Sequence, residues 1–184
     1  MTSQQNITHG VLVDIFTTGT LITGKPGCGK SELALSLIAR GHQLIADDAP
    51  LFVRDNDNNL WGSCPELLQG FLASRNLGML NIRTMFGDQA IKAKTAMQLI
   101  VNLDSRVRGN DEGECGDKEK YREILGIRLP QINIMLTSLC TPEVLIETAV
   151  RNFVLQQQGY NANLDFQGKQ YDYQRTHHKS RRDR

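Results

Sequence analysis

The hydrophobic pattern changes period several times along the chain, and each change marks an element. Gly10–Phe16 (GVLVDIF) alternates and is rich in β-branched residues, so it predicts a strand. Thr17, Thr18 and Gly19 supply turn chemistry, and Thr20–Thr23 (TLIT) follows as a second, buried strand. From Ser31 to Arg40 the period lengthens. Leu33, Leu35, Leu37 and Ile38 then belong to a helix, with Gly41 placed as its C-cap. Gln43–Ala46 is a short apolar strand ending on Asp47 and Asp48. Strand, glycine loop, helix and strand make a βαβ unit, whose strands are expected to be parallel.

Further along, Pro50–Arg54 and Leu60–Gly62 predict a hairpin about the polar turn Asp55–Asn59. Pro65–Leu72 suits a short helix, and Leu77–Ile82 and Met97–Leu103 suit strands. Asp104–Lys120 is polar, charged and glycine-bearing, the pattern of a long loop. Ile132–Leu136 gives a late strand. Pro142–Gln158 is amphipathic, with Leu145, Ala149 and Phe153 at i, i+4 spacing and Pro142 suited to a first turn.

Composition narrows the class without naming a function. With 184 residues, 40% hydrophobic and 22% charged, the chain has the balance of one ordinary soluble domain. A net charge of +1 gives no reason to expect nucleic-acid binding. The charge is uneven: six Lys/Arg lie between Lys169 and Arg184 against Asp172 and Asp183, so 166–184 is expected to be a basic, disordered tail. No apolar run reaches the ~18 residues of a membrane span. Met1–His9 is polar and lacks the features of an export signal. Cys28, Cys64, Cys115 and Cys140 form no C-x-x-C pair, so reduced cytoplasmic thiols are expected. His177 and His178 sit in the tail without further ligands and are not counted as a metal site.

The chemistry concentrates between the first strand and the helix. Gly24-Lys25-Pro26-Gly27-Cys28-Gly29-Lys30-Ser31 has the spacing G-x-x-x-x-G-K-S, after a strand and opening a helix. The glycines let the backbone curl so that successive N–H groups face phosphate oxygens, and the helix dipole adds positive potential. Lys30 brings a point charge to the β- and γ-phosphates, and Ser31 a hydroxyl for Mg²⁺. ATP and Mg²⁺ are the cofactors this predicts. Asp47 and Asp48 end the next strand, where ligand sites gather in open α/β sheets. One of them suits the metal through water, and the other suits proton removal from an incoming hydroxyl. His9 lies just ahead of the first strand and carries little weight alone.

Together these segments resemble the catalytic domain of HPr kinase/phosphorylase. The residues that carry the resemblance are His9–Asp14, the loop GKPGCGKSELAL, GHQLIADD, Arg75–Gly87 (RNLGMLNIRTMFG), Glu123–Ile134 and Val150–Ala162. It spans about residues 8–165, so 1–165 is expected to form the catalytic domain, with no counterpart of the family's N-terminal domain. The resemblance implies an α/β fold of the P-loop type, a mixed sheet flanked by helices. It also implies phosphorylation of a serine on the phosphocarrier HPr, phosphorolysis in reverse, and a hexamer. His9 and Lys30 would lie at the active centre. The Asp47–Asp48 pair would supply the acid/base carboxylate, with Asp48 preferred.

Three positions depart from the family's pattern. Ala73 stands where the family carries a magnesium-binding Glu. Glu114 aligns with its catalytic Arg, and Met135–Cys140 replaces a loop linked to dephosphorylation. Two other functions therefore stand beside the kinase. One is a catalytically impaired nucleotide-binding regulatory module, and the other a P-loop kinase with another substrate.

Overall fold

The computed structural model describes residues 9–104, 120–136 and 141–179. The chain divides into two compact units, Met1–Val150 and Arg151–Arg184. In the first, β1 (Val11–Ile15), β2 (Thr18–Gly24), α1 (Lys30–Ala39) and β3 (Gln43–Ala46) come in the expected order. β1 pairs antiparallel with both β2 and β3 and lies between them. β2 and β3 therefore run parallel as expected, but one strand apart rather than side by side.

The turn between β1 and β2 differs from the sequence expectation. Ile15 pairs with Thr18, so Phe16 and Thr17 make a two-residue turn, with φ of 51° and 62°. Both are non-glycine residues in the left-handed region, an uncommon choice for a β-branched threonine. Gly19, expected in the turn, lies inside β2 instead. A Cβ there would come 2.0 Å from the Ala96 carbonyl oxygen, so the glycine serves the close approach of the neighbouring strand.

β4 (Leu51–Arg54) and β5 (Leu60–Ser63) form the expected hairpin. Asp55 organises its turn by accepting from the Asp57 and Asn59 N–H groups and from the Trp61 indole. Pro65–Leu72 yields only a 3₁₀ turn at Glu66–Leu68 before β6 (Phe71–Ser74), which pairs with β7 (Gly78–Asn81) as a separate ribbon. The short α2 (Ile82–Phe86) follows, capped by the Asn81 side chain. β8 (Lys94–Asp104) is the long central strand, parallel to β2 on one side and to β10 (Ile127–Met135) on the other. β9 (Lys120–Ile124) pairs antiparallel with β10 and was not visible in the sequence pattern. The sheet order is β3-β1-β2-β8-β10-β9, with β5 joined antiparallel to the start of β8. This is the mixed α/β sheet expected from the resemblance.

The apolar positions of both hairpins and the central strands meet in one core. Leu12, Leu21, Ile45, Phe52, Leu60 and Ile100 lie together, each at most 2% exposed. Leu33, Leu35, Leu37 and Ile38 all lie on α1 as expected, and Leu33, Ala34, Leu37 and Ile38 bury its inner stripe. Gly41, at φ +96°, ends this helix as expected. Its N–H donates to the Ile38 carbonyl, and the His42 N–H donates to Leu37.

The second unit contains the end of α3 (Pro142–Gln157) and α4 (Ala162–Lys179). The expected disordered tail is thus helical as far as Lys179. Asn161 Oδ1 accepts from the Asn163 and Leu164 N–H groups, and Asp165 pairs with Lys169 one turn on. A cap and a spaced ion pair, with no proline inside, outweigh the basic composition. Among the described residues no helix is long and apolar enough to cross a membrane.

Candidate active site

β2, β8 and β10 run parallel and end on the same side at Gly24, Asp104 and Met135. Sites in open α/β sheets form at such ends, and the glycine loop is here. Gly27 and Gly29 have φ of 80° and 89°, a backbone that side-chain-bearing residues rarely adopt. Gly24 is constrained differently. A Cβ on it would meet Cys28 Sγ at 2.8 Å and the Leu103 carbonyl oxygen at 2.9 Å. Lys25, Pro26 and Gly27 are exposed at the crest, while Cys28, Gly29 and Lys30 are half-buried. Lys30 Nζ donates to the carbonyls of Gly24 and Lys25 at 3.3 and 3.4 Å, so its charge is held against the loop.

Ser31, the first residue after that lysine, donates to Asp47 Oδ1 at 2.9 Å. The other oxygen of Asp47 accepts from the Ala73 N–H at 2.8 Å. The carboxylate thus ties the start of α1, the end of β3 and ribbon strand β6 together. Burial pushes its pKa up, the Ala73 and Ser31 donors pull it back, and Asp48 and Glu32 add to the upward push. Among the described residues no cation pairs with it. Cys64 is close enough to feel the same charge, and burial followed by that charge pushes its thiol up to about 11.

Asp48 is placed quite differently. Its φ is +63°, and the Ala49 N–H closes a three-residue turn on the Asp47 carbonyl at 2.8 Å. Aspartate tolerates this conformation better than most residues, and local strain of this kind concentrates at functional positions. The turn holds the Asp48 side chain in solvent, 73% exposed. His9 Nδ1 stands 3.6 Å from Asp48 Oδ1, so the histidine that was weak alone gains a partner.

The structure therefore brings Lys30, Ser31, Asp47, Asp48 and His9 to one end of the sheet. Two participants were missed from the pattern alone. Glu32 accepts the Arg75 N–H at 2.8 Å, which holds its carboxyl below the usual range. Arg75 in turn lays its guanidinium on the loop, Nη2 standing 2.8 Å from where a Gly27 Cβ would be. Forty-odd residues separate these partners, so no local spacing announces them. Ala73, noted as a departure from the family's pattern, borders Asp47 through its N–H and brings a methyl group there. Glu114 and most of the Met135–Cys140 segment lie outside the described residues.

A divalent metal fits the donors that are present. The Ser31 hydroxyl and the Asp47 carboxylate offer hard oxygens. Among the described residues no group of three His, Cys, Asp or Glu gathers to hold a metal. Its remaining ligands would be phosphate and water, the arrangement magnesium favours.

Comparison with known proteins identifies the family. Residues 1–170 match the family described as HPr Serine kinase C-terminal domain. The HPr kinase/phosphorylase of Azoarcus sp. is 41% identical over 163 residues, covering 88% of this chain and 52% of that protein. That of Cupriavidus pinatubonensis is 43% identical over 162 residues, with 88% and 50% covered. The chain therefore spans about half the length of these curated relatives. A solved structure, the Hpr(Ser) kinase/phosphatase from Coxiella burnetii, superposes with a TM-score of 0.76 at 33% identity. It covers 88% of this chain and 98% of that one. On sequence and fold alike, the chain belongs to the HPr serine kinase C-terminal domain family.

Proposed function

We propose that the chain binds ATP with Mg²⁺ and transfers the γ-phosphoryl group to a serine of the phosphocarrier HPr or a related carrier. The observation that carries this reading is the division of labour between adjacent aspartates. Asp47 is half-buried and tied to the P-loop serine, whereas Asp48 is turned out beside His9. Asp47 and Ser31 would hold the metal, which when bound would supply charge neutralisation for the phosphates. The loop N–H groups and Lys30 bind the same oxygens. Asp48 accepts the serine proton as Oγ bonds to the γ-phosphorus and the bond to the bridging oxygen breaks, leaving phosphoserine and ADP. His9 orients the Asp48 carboxylate.

In phosphorolysis an oxygen of inorganic phosphate bonds to the phosphoserine phosphorus as the P–Oγ bond breaks, protonated Asp48 gives its proton to Oγ, and serine and pyrophosphate are released. The reading carries with it a cytoplasmic homo-oligomer, hexameric as the family resemblance implies, acting in control of carbon metabolism or sugar transport.

The test is incubation with labelled ATP, Mg²⁺ and HPr. Phosphoserine is expected with the wild type and lost in Lys30→Ala. Nucleotide binding without any transfer would replace the kinase by a binding module. Transfer to a small molecule with HPr inert would replace the acceptor.

A further inference from the structure

Arg75 is a cation at the site whose charge the proposed reaction does not use. It begins the turn between β6 and β7, and its exposed guanidinium lies against Gly27 at the crest of the phosphate loop. Among the described residues no hydrogen bond or salt bridge of that guanidinium is present. Its own N–H is fixed on Glu32, in the first turn of α1, so the cation is delivered to the loop by an anchored backbone. The ribbon is anchored a second time, through the Ala73 N–H on Asp47.

The same anchors leave a metal two side-chain ligands among the described residues, the Ser31 hydroxyl and the Asp47 carboxylate. Ala73 offers no side-chain oxygen, and Asp47 already shares its two oxygens between Ser31 and the Ala73 N–H. On the cationic side, Lys25, Lys30 and Arg75 all border the loop. We infer that Arg75 is a phosphate-contacting residue, and that it lets this chain hold a nucleoside triphosphate without a divalent metal. A guanidinium presents a planar fork of donors that matches two phosphate oxygens at once, and charge-assisted bonds of that kind are the strong ones. Its charge takes up part of the neutralisation that a metal held by an additional carboxylate would supply.

This inference rests on the nucleotide-binding reading above, and one titration separates the two. ATP affinity is measured calorimetrically with the whole chain, once with Mg²⁺ and once with EDTA. The wild type is expected to lose no more than about tenfold on chelation, since a forked charge pair is worth about that much. Arg75→Ala is expected to lose a further factor of about ten in EDTA and less with Mg²⁺. Arg75→Lys, a point charge without the fork, should fall between the two. Arg128→Ala, at the far end of β10, should change nothing. Thermal unfolding of Arg75→Ala should match the wild type, because the N–H that bonds Glu32 remains. Wild-type affinity that vanishes in EDTA, or that Arg75→Ala leaves unchanged there, overturns the inference alone. Absence of nucleotide affinity even with Mg²⁺ overturns both readings.

Discussion

Asp14 and Asp47 stand on the same sheet, each accepting two hydrogen bonds, yet their surroundings have opposite electrical character. Asp14 is 4% exposed, and its Oδ2 accepts from Lys92 Nζ at 2.5 Å and from Thr95 Oγ1 at 2.8 Å. A full positive charge answers its negative one. Among the described residues Asp47 receives only neutral donors, the Ser31 hydroxyl and the Ala73 N–H, and faces two further acids, Asp48 and Glu32. A buried carboxylate with its own lysine is a finished structural pair. One held by dipoles among other acids stays short of a cation, which a magnesium–nucleotide complex would bring. The lesson is that hydrogen-bond satisfaction does not tell a structural acid from a functional one; the charge balance does.

The largest expected effect tests the functional side. Asp48→Asn should lower phosphoserine formation by about 10³ by removing the proton acceptor. Asparagine tolerates the left-handed backbone at this position, so the fold should survive. Initial rates with HPr and a thermal melt of the same sample check both halves. An undiminished rate would move the acid/base role away from Asp48.

Next comes the structural acid. Lys92→Met leaves the Asp14 carboxylate buried without its charge partner and should cost about 2–3 kcal/mol. That lies at or below the usual range for a broken buried pair, because Lys92 is 37% exposed and water can reach the site. Adding Asp14→Asn should recover most of the loss. Urea unfolding measures the pair, and ATP affinity should not follow it. Equal damage to nucleotide binding would dissolve the distinction between the two acids.

A third carboxylate shows what charge matching does to stability with pH. Glu147, on α3, bonds both Arg40 and His42 at the end of α1, and Glu143 adds to the field on Arg40. The Arg40 bond, with help from His42, holds the Glu147 pKa down to about 2, against 4.5 for the free group. A depressed acid stabilises the fold fully above about pH 4.5, and that contribution fades as the pH falls towards 2. Arg40 is 45% exposed, so screening reduces the contribution to about 1–2 kcal/mol. Glu147→Gln should show that deficit at pH 6 and converge with the wild type near pH 2, measured by denaturant unfolding.

These contrasts also mark where the sequence was sufficient. The phosphate loop was legible because each position has a local mechanical task, and glycine, lysine and serine at fixed spacing leave few alternatives. The two hairpins were legible as strands, but the turn at Phe16–Thr17 was not. The glycine that should have marked it is occupied with an approaching strand at Gly19. The helix from Ala162 was hidden by its composition, although its cap and its Asp165–Lys169 pair were there to be found. Arg75 on Gly27 and the Ala73 N–H on Asp47 are contacts between distant segments. No periodicity records them; only the pairing of β6 with β7 and the anchoring of that ribbon on α1 create them.

The smallest expected effect bears most directly on the missing charge. Ala73 is exposed and borders Asp47, so Ala73→Glu adds a carboxylate at this place without disturbing the core. With nucleotide present, Mg²⁺ should bind about three- to tenfold more tightly, the gain expected from one more hard oxygen ligand. Without metal the same substitution adds a fourth acid beside Asp47, Asp48 and Glu32, so ATP should bind more weakly than to the wild type. Paired titrations in Mg²⁺ and in EDTA would then move in opposite directions. A change of the same sign in both would mean that charge at this ribbon does not set the metal requirement. The contrast between Asp47 and its lysine-matched counterpart at Asp14 would then be one of position alone.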